Sequence, residues 1–596
     1  MRSHTLVALA SAVLAGSAKA QIADGSTAQA PENCRCVPGQ PCWPSNEAWA
    51  AFNTTVGGNL IKSVPLAQSC YGDSRDVGQC EKAEEMWTND AFQTAQPLGR
   101  YYPLNMTCPP RNANQTAGTC TLGKLPQYAV DATDRQYINA TLKFSQDNNL
   151  RLTVANTGHD LIGRSDGFGS LAIWVRNLRN DIIFQPNFTS ATQCSRSNWT
   201  HNAFHINGMY QWGDVNKKAK ELNVVVVSGG HATVGANGGW LFGGGHGPAT
   251  RTYGLGADQL LEAEVMLADG SVVIANHCEN ADLFKSLRGG GPGYGIVLST
   301  KVKAYPNDKK LRAHKLIMMP KGAPANGTHI LDFASGMLQA LPSLNEAGYA
   351  GYVVWNRGFY YHNLYMMGEG LERANQTYGP VREKLASFQG QLNVINDNFI
   401  TYGDYWSFYE AELGKGLFPG QTLLMTSRML DNQSVADPVR VRNTVETVSG
   451  PLGEDNLNLI LLLSGGKVFE DAADQSSGLH PAWRTCPMVH IAMRNINHTQ
   501  TLTAAERKAI ADDITFTKGK ALKQLAPSTG GYMNEGDGGD PEYMTTFYGE
   551  ANYQIHLAAK KKYDPNHVFY CPTCVGAEQF VEQPDGALCR APSTGP

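Results

Sequence analysis

The feature that most constrains this chain is a glycine-bearing turn that must follow directly after a strand. Residues 150–155, Leu-Arg-Leu-Thr-Val-Ala, have the composition of a strand, and residues 156–165 are Asn-Thr-Gly-His-Asp-Leu-Ile-Gly-Arg-Ser. Such a turn presents successive backbone N–H groups on one side, which favours an anion such as a pyrophosphate. It also holds the imidazole of His159 close to that anion.

The segments around this turn predict parallel strands. Residues 128–132 have the pattern of a strand, a helix with an inward apolar face follows Asp134, and residues 150–155 form the next strand. A crossover helix between two strands implies that the strands run parallel. The turn therefore lies at a strand end, where α/β sheets place their ligands.

The same turn has two other interpretations. His159 taken alone is an ordinary loop histidine, and Gly163, Ser165 and Gly167 fit the G-x-S-x-G pattern in which Ser165 is the nucleophile of a serine hydrolase. That pattern requires a strand, a turn and then a helix. Residues 168–175, Phe-Gly-Ser-Leu-Ala-Ile-Trp-Val, predict another strand, which disfavours the hydrolase but leaves it as an alternative.

Length, charge and leader limit the classes of function. A chain of 596 residues suggests two or three domains, and a net charge of −4 gives no footprint for nucleic acid. Residues 1–20 resemble a secretory signal, and no later apolar run is long enough to span a bilayer. We therefore expect a secreted protein without membrane association, and ten Asn-x-Ser/Thr sites between Asn53 and Asn497 predict a glycoprotein.

The cysteines predict disulfides. There are 13 of them, of which seven lie between Cys34 and Cys120, so we expect a stapled N-terminal segment and one unpaired thiol. Cys571 and Cys574 are spaced as in zinc sites, but no second pair accompanies them. A disulfide or two buried thiols are therefore expected there, and no metal site.

A second glycine-rich stretch follows the apolar run 224–227, which predicts a buried strand. Residues 228–247 alternate glycines with Val234, Trp240 and Phe242, which a disordered loop would not carry. Glycines in this setting let the backbone approach a flat ring. Farther on, the turn 288–295 lacks G-x-G-x-x-G spacing, which disfavours a nicotinamide Rossmann site.

Together these motifs resemble the FAD-linked oxidases of the vanillyl-alcohol-oxidase and berberine-bridge-enzyme type, over nearly the whole mature chain. The resemblance rests on Gly158-His159-Asp160, on the stretch 228–247, on the series from Asp282 to Val297 and on the C-terminal segments 532–535, 548–553 and 562–569. The cysteines at 34, 36 and 42 are similar to the start of fungal members, including isoamyl-alcohol-oxidase-like proteins.

The resemblance implies an α+β fold in five parts. These are a signal peptide (1–20), a Cys-rich arm (21–122), a two-part PCMH-type FAD-binding domain (123–306), an α+β substrate cap with an antiparallel sheet (307–530) and a BBE-like C-terminal segment (531–596). The cap is rich in aromatic residues, of which a few should face the ligand.

The resemblance also implies FAD, bonded covalently through His159. The expected cofactor-binding residues are Gly158, His159, Asp160, Gly163, Arg164, Ser165, Gly230, His231, Gly235, Ala236, Gly238, Ile296, Asn552 and Tyr553. His231 occupies the position at which doubly linked relatives have a second, cysteinyl bond, so we expect one tether, while a bond through His231 stays open. Ala236 is expected near the face of the flavin that reacts with oxygen.

The implied reaction is the oxidation of an alcohol. Glu535 occupies the position of the family's tyrosine base and is the expected general base, with a hydride passing from the CH–OH carbon to flavin N5 and O2 as acceptor giving H2O2. Partners are then a small-molecule alcohol and O2, with the protein a monomer. A FAD-linked dehydrogenase, a cyclising oxidase of secondary metabolism and a carbohydrate-binding glycoprotein without catalysis remain alternatives, and aliphatic alcohols, aromatic alcohols and sugars all remain open as substrates.

Overall fold

The computed structural model describes residues 33–104, 107–111, 119–322, 327–368, 370–413 and 419–592. The expected signal peptide and the glycosylation sites at Asn105, Asn114 and Asn326 lie outside the described residues. Within them, no helix is both long enough and apolar enough to cross a membrane.

The N-terminal arm is held by disulfides, as predicted. Its elements are helices α1 (Asn46–Thr55), α2 (Val77–Trp87) and α3 (Asp90–Thr94) and strand β1 (Leu60–Lys62). Disulfides join Cys36 to Cys42, Cys70 to Cys80 and Cys108 to Cys120. A fourth, between Cys34 and Cys589, ties the arm to the C-terminal segment.

The first sheet of the FAD-binding domain carries the turn at its edge. It contains β1, β2 (Tyr128–Asp131), β3 (Leu152–Ala155) and β4 (Leu171–Trp174), with helix α4 (Arg135–Asp147) between β2 and β3. Asp134 caps α4 by accepting a hydrogen bond from Gln136 N at 2.8 Å. Strand β1 pairs antiparallel with β2. Strands β2 and β3 run parallel as expected, but they do not pair with each other. Both pair with β4, whose four buried residues suit the central position.

The second part of this domain is an antiparallel sheet of five strands in the order β5-β6-β10-β8-β9. The strands are β5 (Arg179–Gln185), β6 (Ala203–Gly208), β8 (Leu260–Met266), β9 (Val272–Ala275) and β10 (Ile296–Lys303). The associated helices are α5 (Trp212–Glu221), α6 (Gly239–Phe242), α7 (Thr250–Tyr253), α8 (Gly256–Gln259) and α9 (Ala281–Leu287). The expected two-part domain is therefore confirmed.

The strand predicted over residues 224–227 is shorter than expected. Strand β7 (Val224–Val225) pairs with β11 (Tyr305–Pro306), and the next two valines are buried without joining a ladder. The apolar run correctly predicts burial, but a buried residue need not pair in a strand. The ladder ends after Val225, just before the chain enters the glycine-rich stretch.

The cap contains an antiparallel sheet of seven strands in the order β15-β12-β14-β13-β17-β18-β16. They are β12 (Leu311–Pro320), β13 (Ala350–Trp355), β14 (Tyr360–Met367), β15 (Leu392–Tyr402), β16 (Thr422–Leu430), β17 (Asn456–Leu462) and β18 (Met488–Ile496). The predicted α+β class with an antiparallel cap sheet is confirmed.

Helices α10 (Thr328–Glu346), α11 (Ala374–Thr377), α12 (Gly379–Ala386), α14 (Pro438–Ser449) and α17 (Lys520–Leu525) share a buried cluster with one face of the cap sheet. The other helices of the region are α13 (Tyr405–Glu412), α15 (Lys467–Glu470) and α16 (Ala504–Asp512). Side chains alternate along a strand, so Val353 and Trp355 join the buried cluster with α10 and α14, whereas Tyr352 and Val354 face the other way. That second face forms a wall of the cavity described below.

The C-terminal segment returns to the FAD-binding domain through α18 (Glu550–Tyr563), β19 (Phe580–Glu582) and β20 (Leu588–Arg590). Lys560 is buried in an ion pair with Asp564 at 2.7 Å, and its ammonium also donates to Gly293 O at 2.6 Å. Cys571 and Cys574 form a disulfide, which confirms the choice against zinc, and Cys486 is the unpaired thiol.

Candidate functional site

A cavity of about 1000 Å³ lies between the glycine-rich turns and the cap sheet. This volume is at the upper end for small-molecule pockets, as a dinucleotide and a substrate together require. Its walls are the turn after β3, the stretch 228–247, the cap sheet and the C-terminal segment near Glu535.

The turn after β3 is held in one conformation by a close contact with Gly99 and by the side chain of Asp160. Gly158 has a φ of +78°, and a Cβ there would lie 2.4 Å from Gly99 O, so only glycine fits. The Asp160 carboxylate accepts from Ser165 N at 2.6 Å and from Ile162 N at 3.2 Å. These contacts aim one face of the turn at the cavity.

Most of the residues predicted for this turn line the cavity. Those in its wall are Gly158, His159, Asp160, Arg164 and Ser165. Gly163 lies outside the wall and serves the turn geometry through its φ of +77°. The hydrolase interpretation of Ser165 is wrong, because Ser165 does not directly follow a strand and is followed by β4, so the required helix is missing.

Two partly buried histidines, His159 and His231, share one hydroxyl. The Thr233 Oγ1 atom lies 2.7 Å from His159 Nε2 and 2.9 Å from His231 Nδ1. The His159 ring stacks on Tyr101 with centroids 4.1 Å apart. Burial and the neighbouring His231 lower the pKa of His159 well below its ordinary value, so its imidazole is neutral at neutral pH.

The hydrogen bonds assign the tautomers of this pair. The Thr233 backbone N–H donates to His231 Nδ1 at 3.3 Å, so that nitrogen is an acceptor and carries no proton. The Thr233 hydroxyl then donates to the same nitrogen and accepts from His159 Nε2. His159 therefore holds its proton on Nε2, and its Nδ1 keeps a lone pair.

The stretch 228–247 forms the neighbouring wall. Gly230, His231, Gly235 and Gly238 line the cavity as predicted. Ala236 does not, because it is fully buried behind the wall with its N–H bonded to Tyr210 O at 2.9 Å. The expectation that Ala236 borders the cavity is thus wrong: its side chain belongs to the core below the turn.

Glu535 lines the cavity and is paired with a histidine that sequence reasoning missed. His246 Nε2 lies 2.9 Å from Glu535 Oε1, and His246 Nδ1 is buried without a partner among the described residues. The one sequence signal for His246 is the set of glycines around it, in Gly-Gly-Gly-His-Gly, which indicates a tight turn at this histidine. Asn534 fastens this segment, donating to Gly239 O at 2.9 Å.

The three remaining predicted residues divide into one inside the cavity wall and two outside it. Ile296 lines the cavity at the start of β10. Asn552 donates to Leu479 O at 2.7 Å, and the Tyr553 hydroxyl accepts from Gly576 N at 3.1 Å; neither residue is in the cavity wall. These two residues hold α18 in place and do not contact the space for a cofactor.

The cap presents alternate side chains of its strands to the cavity. Register pairs such as Leu459 with Ile491 and Leu457 with Met493 make much of this surface apolar. The polar residues of this wall are Tyr352, Asn356, Tyr361, Asn363, Glu412, Asp455 and Asn495. Burial raises the pKa of Tyr352 far above its usual value, with Glu535 contributing, so its hydroxyl stays protonated.

The residues present fit a flavin dinucleotide. Arg164 Nε and Asn156 Oδ1 are buried in the cavity wall without partners among the described residues. The guanidinium nitrogen can donate to an anionic ligand oxygen, and the amide oxygen can accept from a ligand N–H or O–H. A Cβ on Gly238 would meet nothing within 4 Å, so the backbone there leaves open space for a ring. No group of three or more metal-ligating side chains occurs among the described residues.

Comparison with known proteins gives a consistent result. Residues 126–276 match the FAD binding domain family, and residues 531–576 match the berberine and berberine-like family. The chain is 51% identical over 581 residues to FAD-linked oxidoreductase hmp9 of Hypomyces subiculosus, covering 95% of this chain and 92% of that protein. It is 34% identical over 579 residues to FAD-linked oxidoreductase apf9 of Gibberella fujikuroi, covering 94% and 97%.

Solved structures agree with the sequence relatives. The VAO-type flavoprotein MtVAO713 from Myceliophthora thermophila C1 superposes with a TM-score of 0.91 at 49% identity, covering 94% of this chain and 100% of that one. MtVAO615 from the same organism gives a TM-score of 0.81 at 26% identity.

Proposed function

The chain belongs to the FAD-linked oxidoreductases of the vanillyl-alcohol-oxidase and berberine-bridge-enzyme type, and from that premise we propose that it is a secreted oxidase of alcohols with a covalently bound flavin. FAD binding and a small-molecule substrate follow from the family. The alcohol, O2 as acceptor, the covalent link, the monomeric state and secretion are the proposal. Six disulfides among the described residues favour an oxidising compartment.

The turn after β3 and the stretch 228–238 would hold the cofactor. Arg164 supplies a buried positive charge for its anionic part, and the glycines allow the backbone to approach its ring. When bound, FAD accepts a hydride from the carbinol carbon at N5 and passes the electrons to O2, giving H2O2.

His159 Nδ1 is proposed as the atom that bonds the flavin. The relay through Thr233 leaves this nitrogen unprotonated, and burial keeps the ring neutral, so it is a nucleophile at neutral pH. His231 is the far end of the same relay, with Nε2 3.4 Å from the Tyr101 hydroxyl. Both of its nitrogens have protein partners, which supports a single tether.

The observation that carries the alcohol oxidation is the Glu535–His246 pair in the cavity wall. A base must remove the O–H proton as the adjacent carbon loses its hydride, and Glu535 is a carboxylate at the cavity surface. The contact with His246 at 2.9 Å fixes the orientation of the carboxylate. The proton removed from the substrate then resides on this pair.

The test is to follow flavin reduction and peroxide release with a panel of aliphatic, aromatic and sugar alcohols. The proposal expects anaerobic bleaching of the flavin by at least one class, and stoichiometric H2O2 when air is admitted. Bleaching followed by slow reoxidation in air would show a dehydrogenase instead. Failure of every alcohol to reduce the flavin would remove alcohol oxidation.

A further inference from the structure

The cap places a polar cluster around Glu412 in a mainly apolar wall of the cavity. The Glu412 side chain is only 3% exposed, and its carboxylate pairs with Lys315 Nζ at 2.7 Å. It also accepts from Asn363 Nδ2 at 2.9 Å and from the Tyr402 hydroxyl. Because the lysine cancels its charge, the cluster is neutral as a unit, and Glu412 is held as an acceptor.

The cluster has unused hydrogen-bonding capacity that faces the cavity. Asn363 is 4% exposed, yet its Oδ1 is buried without a partner among the described residues. Its cross-strand neighbour in the register of β13 and β14 is Tyr352, whose buried hydroxyl is equally unpartnered. A buried polar atom without a partner is costly, so two neighbouring ones in a ligand cavity require an explanation.

The two orphan groups are complementary to a single hydroxyl. Asn363 Oδ1 can only accept, while the Tyr352 hydroxyl has a proton to donate. A ligand hydroxyl offers each group what it lacks, a donor for the amide oxygen and an acceptor for the phenol. A ligand carboxylate would face two acceptors, Asn363 Oδ1 and Glu412. An ammonium would find Glu412 already neutralised by Lys315.

We infer that Asn363, Tyr352 and Glu412 form a second substrate subsite, which binds a neutral hydroxyl other than the one that is oxidised. This inference rests on the proposed alcohol oxidation. The substrate class is then a neutral molecule with at least two hydroxyls separated by an apolar body. The apolar body lies against the cap strands, where Leu457 and Leu459 line the cavity.

The experiment uses the purified, flavin-loaded protein and a series of α,ω-alkanediols of increasing length. Each diol is compared with the 1-alkanol, the ω-hydroxy acid and the ω-amino alcohol of equal length, by anaerobic flavin reduction and by titration of the flavin absorbance. At one chain length the diol should exceed the alkanol by about 10- to 100-fold in the ratio of reduction rate to Kd. That length measures the distance between the two hydroxyl positions.

Variants test which residues cause the preference for the diol over the alkanol. In Asn363→Leu, which keeps the size of the side chain, the ratio of diol to alkanol should fall to about one. Glu412→Gln alone leaves the partly buried Lys315 without its carboxylate, so it is combined with Lys315→Met, and the double variant should also lose the preference. Glu446→Gln removes a surface ion pair with Arg442 in the same cap and should keep it.

The outcomes separate the two proposals. Equal use of diols and alkanols at every length, a preference for the acid or the amine, or a diol preference that survives in Asn363→Leu would each refute the subsite. If no alcohol reduces the flavin but diols still bind more tightly than alkanols, and only with Asn363 intact, the subsite stands and the proposed oxidation fails. If no ligand perturbs or reduces the flavin, both fail.

Discussion

The two principal walls of the cavity are built on opposite principles. The cofactor-side wall consists of turns whose backbone is fixed by glycines and by short-range contacts, such as Asp160 with Ser165 N at 2.6 Å. The cap wall is an antiparallel sheet whose backbone is regular, so that only the identity of alternate side chains distinguishes it. Backbone-built surface tolerates little change, whereas a sheet face can be altered residue by residue. This difference suits a constant cofactor and a variable substrate.

The largest expected effect lies on the cofactor side. In His159→Ala the flavin should be released completely on acid precipitation, whereas in the unmodified protein it should stay with the pellet. His231→Ala is the matched control, and it should retain the bound flavin because it does not form the bond. Release from the unmodified protein, or from His231→Ala alone, would contradict the assignment.

A more specific prediction concerns which nitrogen of His159 bonds the flavin. Mass spectrometry and NMR of the flavin peptide should show attachment at Nδ1 of His159, since Nε2 is engaged with Thr233. Attachment at Nε2 would mean that the tautomer relay is reversed.

The second effect concerns Glu535, which the C-terminal segment places beside His246. Glu535→Gln keeps the shape and loses the basicity, so anaerobic flavin reduction by the alcohol found in the panel should slow by about 10²–10⁴-fold. The flavin should remain attached, and the limb of the pH profile that reports a deprotonated group should vanish. Reduction within a few-fold of the unmodified protein would show that the base is elsewhere.

His246 is tested by the same measurement. His246→Ala should slow reduction less than Glu535→Gln does, since it removes orientation but leaves the base. The double variant should be no slower than Glu535→Gln alone, because residues that act as one unit are non-additive. Strict additivity would contradict the pairing.

The third effect tests whether the cofactor wall is fixed by backbone. Gly158→Ala places a Cβ 2.4 Å from Gly99 O at a φ of +78°. We expect it to destabilise the fold by about 2–4 kcal/mol, measured by denaturant unfolding. Gly238→Ala is the control: a Cβ there meets no protein atom within 4 Å, so stability should hold while flavin content falls. Equal stability of Gly158→Ala and Gly238→Ala would show that the close approach of the backbone at Gly158 does not fix the turn.

The smallest effect is on acid stability and arises on the cap side. His490 is buried in β18, and burial lowers its pKa to about 3. The unfolded chain takes up this proton near its ordinary pKa, whereas the folded chain does not, so stability falls as the pH falls between the two values. One such histidine contributes a slope of about 1.4 kcal/mol per pH unit.

His490→Gln should therefore flatten the loss of stability between about pH 6 and 4, as followed by thermal unfolding. The half-exposed His329 provides the control, since His329→Gln should leave the slope unchanged. An unchanged slope in His490→Gln would show that His490 does not control the acid sensitivity.

The sequence by itself determined the cofactor wall. Gly158, His159 and Asp160 are consecutive, and a strand, a turn and a glycine pattern are local properties that the order of residues encodes directly. The strand and helix positions of the FAD-binding domain could be predicted for the same reason, whereas the antiparallel cap was implied by the family resemblance that these motifs carry. Ala236, Asn552 and Tyr553 lie outside the cavity wall, because a motif gives the position of a residue in the chain but not the side of the wall on which its side chain lies.

Only the tertiary structure decided the rest. It decided the order of β2, β4 and β3, the pairing of Glu535 with His246 and the bridge of Thr233 between His159 and His231. Each of these contacts includes residues that are far apart in the sequence. The cluster of Glu412, Lys315 and Asn363 depends on strand register and on the end of α13, and no local pattern signals it. Contacts between distant segments are set by the packing of the whole chain. The residues of the substrate side could therefore be identified only from the tertiary structure.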